Sequence, residues 1–298
     1  MGLGLHETLR DRSLLEITLI PFKDMPSPIH VGYGGVEVIK AIVRFPVDGR
    51  LMPIIPSDSI KGIMRAEATR MAKELSWVGD VAISVNAHTR KDLHEVGDDQ
   101  DFKSRALDFV SRNFTEIQRA EVEDKAVEIY ASSLCPICRL FGSRYLAGKL
   151  LMTDAVPLNV PRVLTYTSTA VNRRTRTIGE QRLFTTEYIE PSPELAFRFT
   201  IIVDNVKDYR EAPLLALLLE LFLRLGLMVG GAKSRGYGLL KVDEEKSYVK
   251  YAAFSAEQMG VEQRLENVRR LLMKEGHYVK LSLYEYVSLL RGKHMLPL

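Results

Sequence analysis

The sequence predicts an α+β fold in which helices pack on an antiparallel sheet. Alternating apolar and polar residues indicate a strand at residues 13–22 and a stronger one at residues 194–205. A helix that is apolar on nearly every side, and therefore buried, is predicted at residues 211–230. The strands and the two main helices alternate irregularly, without a repeated strand–helix–strand rhythm, and this favours an antiparallel sheet over a parallel one.

The remaining elements of this sheet domain are predicted from turn and capping residues. Prolines and glycines make residues 23–35 a loop. Residues 36–56 provide short strands with a turn at Asp48 and the glycine after it. An amphipathic helix then begins at Ser57 or Asp58, since both residue types accept hydrogen bonds from the first free amides of a helix.

Three segments are predicted to decorate a single domain that covers residues 1–298. Their polar character sets them apart from the core elements: a charge-rich helical insertion, a projecting β-hairpin arm with little apolar surface, and a polar helical segment at the C-terminal end. In chain order, these segments are residues 77–131, residues 161–191 (the arm) and residues 254–298.

Composition places the chain among globular proteins with a substantial core, since 46% of its 298 residues are hydrophobic. It has no apolar run long enough to span a membrane, and its first twenty residues carry several charges, so neither a membrane span nor a secretion signal is predicted. We therefore expect a cytoplasmic protein without a membrane partner. The net charge of +3 is too small to indicate nucleic-acid binding by itself.

The distribution of charge is more informative, beginning with the sequence GGAKSRGYG at residues 230–238 (the glycine-rich loop). It differs from a nucleotide-binding P-loop, because Ala232 separates the glycines from the lysine, a helix precedes it and a strand follows. A helix C-cap and a following turn would explain about half of these glycines. They do not explain the side chains that accompany them, and residues 224–241 contain no acid, so the backbone of a nucleic acid is the predicted ligand. The predicted contacts are Lys233, Ser234, Arg235 and Tyr237.

Two further segments carry side chains suited to phosphate. The arm has five arginines and one acid between residues 161 and 182, and arginine donates two parallel hydrogen bonds to a phosphate. A merely solvated hairpin is the alternative, but a second acid-poor basic segment favours binding. The start of the predicted helix, with Ser57, Ser59 and Lys61, is a weaker anion site. The arm residues proposed to bind are Arg173, Arg174, Arg176, Arg182 and Phe184, with Arg162 and Tyr166 nearby.

Five motifs in order resemble the RAMP superfamily (repeat-associated mysterious proteins), and the likeness is greatest to backbone subunits of type III CRISPR effector complexes. The likeness spans about residues 13–242. It implies an RRM-like, ferredoxin-like palm with a thumb-like hairpin, and binding of CRISPR RNA and target RNA within a filament of RAMP subunits. The motifs are PIHVGYGG, LMPIIPSDSIKGIMR, LCPICRLFGS, VNRRTRTIGEQRLFTTE and GGAKSRGYGLLKV.

Carried over by motif, the resemblance places Ser57, Ser59, Lys61 and Arg65 near the guide backbone, together with the glycine-rich loop. The part of the arm from Arg173 to Phe184 would be the thumb that separates bases of the guide–target duplex.

The resemblance also raises the question of RNA cleavage. Catalytic relatives carry an aspartate ahead of the IPxxSxKG helix, and this chain has none at the corresponding place. Glu37 and Asp48 are the nearest acids that would hold Mg²⁺ or orient a 2′-hydroxyl. We expect guide binding without cleavage, with a metal-dependent endoribonuclease as the alternative. A nuclease that processes repeat RNA, with His30 as general base, is the least favoured option.

The sequence contains two cysteines, Cys135 and Cys138. Their two-residue spacing is typical of half a structural zinc site, with His88 or His94 as a further ligand. Two small buried residues beside an apolar segment are an equally good interpretation. A structural zinc therefore remains one of two alternatives.

Overall fold

A computed structural model describes most of the chain, in ten segments. They are residues 11–32, 39–74, 99–115, 125–134, 136–143, 145–171, 178–206, 211–253, 262 and 278–292. The strands are β1 (Asp11–Pro21), β2 (Ile39–Lys40), β3 (Arg44–Val47), β4 (Arg50–Pro53), β5 (Leu150–Met152), β6 (Val156–Pro157), β7 (Val163–Val171), β8 (Ile178–Ile189), β9 (Phe197–Asp204), β10 (Leu227–Met228), β11 (Leu239–Val242), β12 (Tyr248–Ala253) and β13 (Val279–Leu281). The helices are α1 (Ser57–Glu74), α2 (Asp99–Asn113), α3 (Ala126–Leu134), α4 (Pro136–Phe141), α5 (Ala212–Leu225) and α6 (Leu283–Leu290).

The main sheet is antiparallel and is centred on β1. One edge of β1 pairs with the whole length of β9. The other edge of β1 pairs with β12 near the start of β1 and with β11 near its end. Strands β10 and β13 extend this second side, while β5 and β6 pair with the far edge of β9. The prediction of an α+β fold with an antiparallel palm is confirmed.

The core lies between one face of this sheet and helices α1 and α5. Every second residue of β9 is buried, as expected for a strand with one face against a core. On α1, the buried residues Ile60, Met64 and Ala68 recur every four positions, so they form one apolar stripe. Side chains from β1, β9, α1 and α5 belong to the same buried cluster. The nearly all-apolar sequence of α5 follows from this central position.

The arm begins as an antiparallel hairpin of β7 and β8, with a register shift between Thr169 and Val171. Its register runs from Val163 opposite Ile189 to Val171 opposite Ile178. Strand β2 adds to β8 in parallel, and the backbone of Ile29 exchanges two hydrogen bonds with Ile189, at 3.1 and 2.8 Å. The base of the arm is therefore joined to the loop that follows β1.

The described parts of the other two decorations contain helices and one short strand. Within residues 77–131, α2 and the start of α3 pack on each other around Ala106, Val110 and Ala126. Within residues 254–298, α6 begins with a capping box in which Ser282 and Glu285 exchange hydrogen bonds. The prediction of helices alone was wrong at β13, a three-residue strand that is stabilised by pairing with β12 and has no local signature of its own.

A buried ion cluster joins α4, β5 and α5. Glu211, the N-cap residue of α5, is fully buried and forms an ion pair with Arg139 of α4. Its second carboxylate oxygen lies 3.2 Å from the Lys149 amine, which also donates to the Asn205 carbonyl at 2.8 Å. The two cations are largely shielded from water, so they need this carboxylate as a counter-charge.

None of the helices in the described segments is long and apolar enough to cross a membrane.

Candidate nucleic-acid interface

A cleft of about 660 Å³ opens where the glycine-rich loop, the start of α1 and the base of the arm meet (the cleft). Its floor includes residues 30–32 of the loop after β1, and its walls include Ser59, Tyr166 and Lys233. Among its described lining residues, Lys40, Lys233 and Arg235 are cationic and Asp58 is the one acid. The cleft is therefore basic and is built from segments that lie far apart in the sequence.

The glycine-rich loop is held against the floor of the cleft by its backbone. The Val229 amide donates to the Gly238 carbonyl at 2.9 Å, which closes the loop. The Gly231 amide donates to the His30 carbonyl, and the Gly238 amide donates to the Pro28 carbonyl, both at 2.8 Å. A Cβ atom on Gly230 would lie 2.0 Å from the His30 carbonyl oxygen, so only glycine permits this approach.

We expect Gly238→Ala to destabilise the protein by at least about 3 kcal/mol. Gly238 has a φ of +84°, and a Cβ atom there would lie 1.9 Å from the Val229 carbonyl oxygen. Gly236→Ala is the matched control, because Gly236 has a φ of +80° with no atom within 4 Å of the added Cβ. It should cost only about 1–2 kcal/mol, the strain of a left-handed alanine. Urea unfolding measures both, and equal losses would contradict the close-approach argument.

The cations of the glycine-rich loop are exposed at its tip. Lys233, Ser234 and Arg235 form one turn of 3₁₀ helix, and Lys233 and Arg235 line the cleft. In the described part of the chain, the Lys233 amine has no hydrogen-bond or ion-pair partner. Tyr237 also lines the cleft, and its ring centroid lies 6.4 Å from that of Tyr188 on β8. The loop thus presents charge and an aromatic ring to the same space.

The start of α1 is only partly available as an anion site. The Ser57 amide donates to the Asp154 carboxylate at 2.7 Å, so an acid of this chain already occupies that position. Ser59 lines the cleft. Lys61 belongs to α1 and is not among the described lining residues. Arg65 donates to the Gly142 carbonyl at 3.0 Å and therefore holds the end of α4.

The arm contributes Tyr166 and Thr186, which lie opposite each other in the β7–β8 register and both line the cleft. Tyr166 is 57% exposed, so its ring is open to a ligand. Arg182 and Phe184 belong to β8, with Phe184 opposite Ser168, but their side chains lie outside the described part of the structure. The arm arginines Arg173, Arg174 and Arg176 also lie outside the described residues.

Glu187 of β8 holds the floor of the cleft against the arm. Its carbonyl accepts a hydrogen bond from His30 Nδ1 at 2.7 Å. Its carboxylate accepts from the Ile42 amide at 3.1 Å and from the Arg44 guanidinium at 2.9 Å. The hydrogen bond from Arg44 is the largest cause that lowers the pKa of Glu187, against the opposing effect of burial.

This lowered pKa predicts an acid-sensitive contribution to stability. A carboxyl group whose pKa is lower in the folded state stabilises the protein at pH values above its unfolded-state pKa, about 4.3. That stabilisation is lost as the pH falls through the folded-state pKa of Glu187. Arg44→Met should therefore cost about 1–2 kcal/mol at pH 7 and clearly less near pH 3. Urea unfolding at both pH values tests this. Arg162→Met is the control, since its pair with Glu190 is exposed and 3.4 Å long. A loss that does not change with pH would contradict the prediction.

Several residues of the cleft are not predicted as ligand contacts from the sequence. Asp58 is predicted only as a helix cap, and Lys40 and Thr186 are not predicted at all. Lys40 and Thr186 lie opposite each other in the parallel pairing of β2 and β8, more than a hundred residues apart in the chain. No local pattern reports such a pairing, whereas the SDS sequence at residues 57–59 was a usable signal for Asp58.

Of the acids predicted for catalysis and the residues predicted for metal binding, the structure describes Asp48 and Cys138. Asp48 occupies the exposed β3–β4 turn with a φ of +48° and is outside the cleft lining. Cys138 is buried in α4, with its Sγ 3.9 Å from the Arg65 guanidinium. Glu37, His88 and Cys135 lie outside the described residues. Within those residues, no three His, Cys, Asp or Glu side chains form a metal-binding group, and the zinc site stays a prediction.

The fold and the cleft define an α+β protein with a basic cleft at the base of a β-arm. The RAMP superfamily model matches residues 25–241, a range that includes the cleft-lining residues described above. The chain therefore belongs to the RAMP superfamily. No curated protein matches the sequence. Among solved structures, a chain from one titled "Type IV-B CRISPR Complex" is similar at a TM-score of 0.47 and 15% identity, covering 87% of this chain and 98% of that chain.

Proposed function

We propose that this protein is a CRISPR RNA-binding subunit of an effector ribonucleoprotein, and that the complex is of type III. The observation that carries the proposal is the convergence of Lys233, Arg235 and Tyr237 with Tyr166 of the arm in one cleft. Cations suit phosphates, and exposed aromatic rings suit unstacked bases. Together they fit a single-stranded nucleic acid better than a small metabolite.

The partners that we propose are the guide RNA, its target RNA and further RAMP subunits, in the cytoplasm. Membership in the RAMP superfamily supports this proposal, as do four of the five ordered motifs, which contribute residues to the cleft lining. The arm would separate bases of the guide–target duplex, with Tyr166 at the base of the arm next to the glycine-rich loop. Neighbouring subunits would repeat the same contacts along one guide.

We propose binding without cleavage by this chain. The alternative, a metal-dependent endoribonuclease, needs carboxylates that hold the metal beside the scissile phosphate. Asp48, one of the two acids considered, lies at an exposed turn outside the cleft lining. Asp48→Ala and Glu37→Ala, assayed with guide, target RNA and Mg²⁺, separate the two functions, because cleavage that disappears in either variant would favour the endoribonuclease.

The proposal is tested by the salt dependence of RNA affinity. Three cations line the cleft, Lys40, Lys233 and Arg235. If each contacts one phosphate of a single strand, log K should fall with log salt with a slope of about −2. Fluorescence anisotropy of a labelled single-stranded RNA, titrated with the full chain between about 50 and 300 mM salt, measures this slope. Absence of binding, or binding that does not change with salt, would refute the phosphate-binding function.

A further inference from the structure

The floor of the cleft presents a hydrogen-bond acceptor from a buried histidine. His30 is 8% exposed, and its Nδ1 lies 2.7 Å from the Glu187 carbonyl oxygen. A carbonyl oxygen only accepts, so Nδ1 carries the proton, and in the neutral ring Nε2 has the free lone pair. Nε2 lies against Gly32, where an added Cβ would be 3.0 Å away. In the described part of the chain, Nε2 has no hydrogen-bond partner.

A second acceptor lines the same cleft. Asp58 is the one carboxylate among the described lining residues, which otherwise offer cations, hydroxyls and backbone groups. A phosphate oxygen also only accepts, so neither Asp58 nor neutral His30 can bind one. Two acceptors in a basic cleft favour a ligand that carries a donor, since an acceptor that the ligand covers and leaves unpaired costs affinity.

We propose that His30 Nε2 and Asp58 accept hydrogen bonds from ribose 2′-hydroxyl groups, and that the cleft thereby selects RNA over DNA. The 2′-hydroxyl is the group that distinguishes the two nucleic acids. His30 also lies close to the loop that carries Lys233. Its Cδ2, which is bonded to Nε2, would be 3.5 Å from a Cβ atom on Gly231, two residues before Lys233. A sugar beside the phosphate at Lys233 fits this position. In a nucleotide, the sugar is bonded directly to the phosphate that Lys233 would bind. This inference rests on the proposed function.

Each residue also has a purely structural role that would leave RNA and DNA equivalent. The Nδ1 bond of His30 joins the floor of the cleft to the arm. Asp58 lies in the first turn of α1, where a negative charge stabilises the helix dipole. These roles predict effects on stability or on all ligands alike. Only contact with the 2′-hydroxyl predicts a change in the ratio of RNA to DNA affinity.

The test compares three ligands of one base sequence: oligouridine, oligodeoxyuridine and 2′-O-methyl oligouridine. Because the base is the same in all three, contacts to base N–H groups cannot produce a difference between them. The full wild-type chain should bind the RNA about ten-fold more tightly than either analogue, since the methyl ether cannot donate. Equal affinity for all three refutes the inference and leaves the proposed function intact, whereas no binding to any of them refutes the proposed function.

Variants identify the residues responsible. His30→Asn keeps an amide donor near the Nδ1 position and removes Nε2, while Asp58→Ala removes the carboxylate from an exposed position. Each should reduce the RNA-to-DNA ratio to about three-fold or less. Lys233→Ala should weaken RNA and DNA by the same factor, because it contacts phosphate. If His30→Asn fails to fold, the RNA-to-DNA affinity ratio of Asp58→Ala still tests the assignment. An unchanged ratio in the folded variants overturns the assignment.

Discussion

A double variant, Lys233→Glu with Arg235→Glu, is expected to bind single-stranded RNA at least about a hundred-fold more weakly than the wild-type protein near 150 mM salt. The cleft lining has three cations and one acid, and the two substitutions change it to one cation and three acids. Both side chains are exposed on a 3₁₀ turn, so the fold should not change. Fluorescence anisotropy measures the affinity, and thermal unfolding checks the fold.

Lys246→Glu is the control for charge reversal outside the cleft, with half the charge change of the double variant. Lys246 follows β11, is 59% exposed, and pairs with Asp243 three residues earlier at 3.4 Å. It lies outside the described lining of the cleft. The Lys246→Glu variant should bind RNA within about three-fold of the wild-type affinity, because an exposed charge that does not contact the ligand is largely screened by salt. Similar losses in both variants would mean that net charge, rather than the cleft, determines binding.

The elements with strong local signals were predicted well from the sequence. The core strand β9 and the helix α5 follow from alternation and from continuous apolar character, respectively. The apolar stripe of α1 follows from residues spaced four apart, such as Ile60 and Met64. In each case, the period of the pattern and the local backbone preference indicate the same structure.

The parts of the cleft that depend on long-range contacts were not predictable. The Ser57 amide donates to Asp154, which lies 97 positions away, and this occupies part of the anion site that capping chemistry alone suggests. Arg65 matches a guide-binding motif, yet its guanidinium binds the Gly142 carbonyl, 77 positions away. A single sequence reports residue type and spacing, and neither of these determines which distant group fills a hydrogen bond first.

The glycine-rich loop shows how the two kinds of information combine. Its glycines and cations were recognisable in the sequence, but the reason for Gly230 and Gly238 is their approach to the His30 and Val229 carbonyls. The first approach holds the loop against the floor of the cleft, and the second closes the loop. Lys233 and Arg235 of this loop line the cleft. The glycines therefore position the loop, and the lysine and arginine supply the charge.

A large loss of stability, about 3–5 kcal/mol, is expected from Glu211→Ala. Glu211 is fully buried and balances Arg139 and Lys149, whose side chains are only 17% and 12% exposed. Its removal leaves two cations with little water to solvate them and no carboxylate beside them. Glu211 also precedes the first turn of α5, so the loss should loosen the contact between α5 and the segment after the helical insertion.

Equilibrium unfolding in urea measures this loss, with Glu190→Ala as the control. Glu190 also pairs with an arginine, Arg162, but at 3.4 Å and with both side chains exposed. Exposed pairs contribute little because water screens them and because ordering two long side chains costs entropy, so the control should lose less than about 1 kcal/mol. Glu211→Gln should fall between the two, since it keeps the shape of the carboxylate and removes its charge. If Glu211→Ala and Glu190→Ala unfold at the same urea concentration, the buried cluster contributes no more to stability than a surface ion pair does.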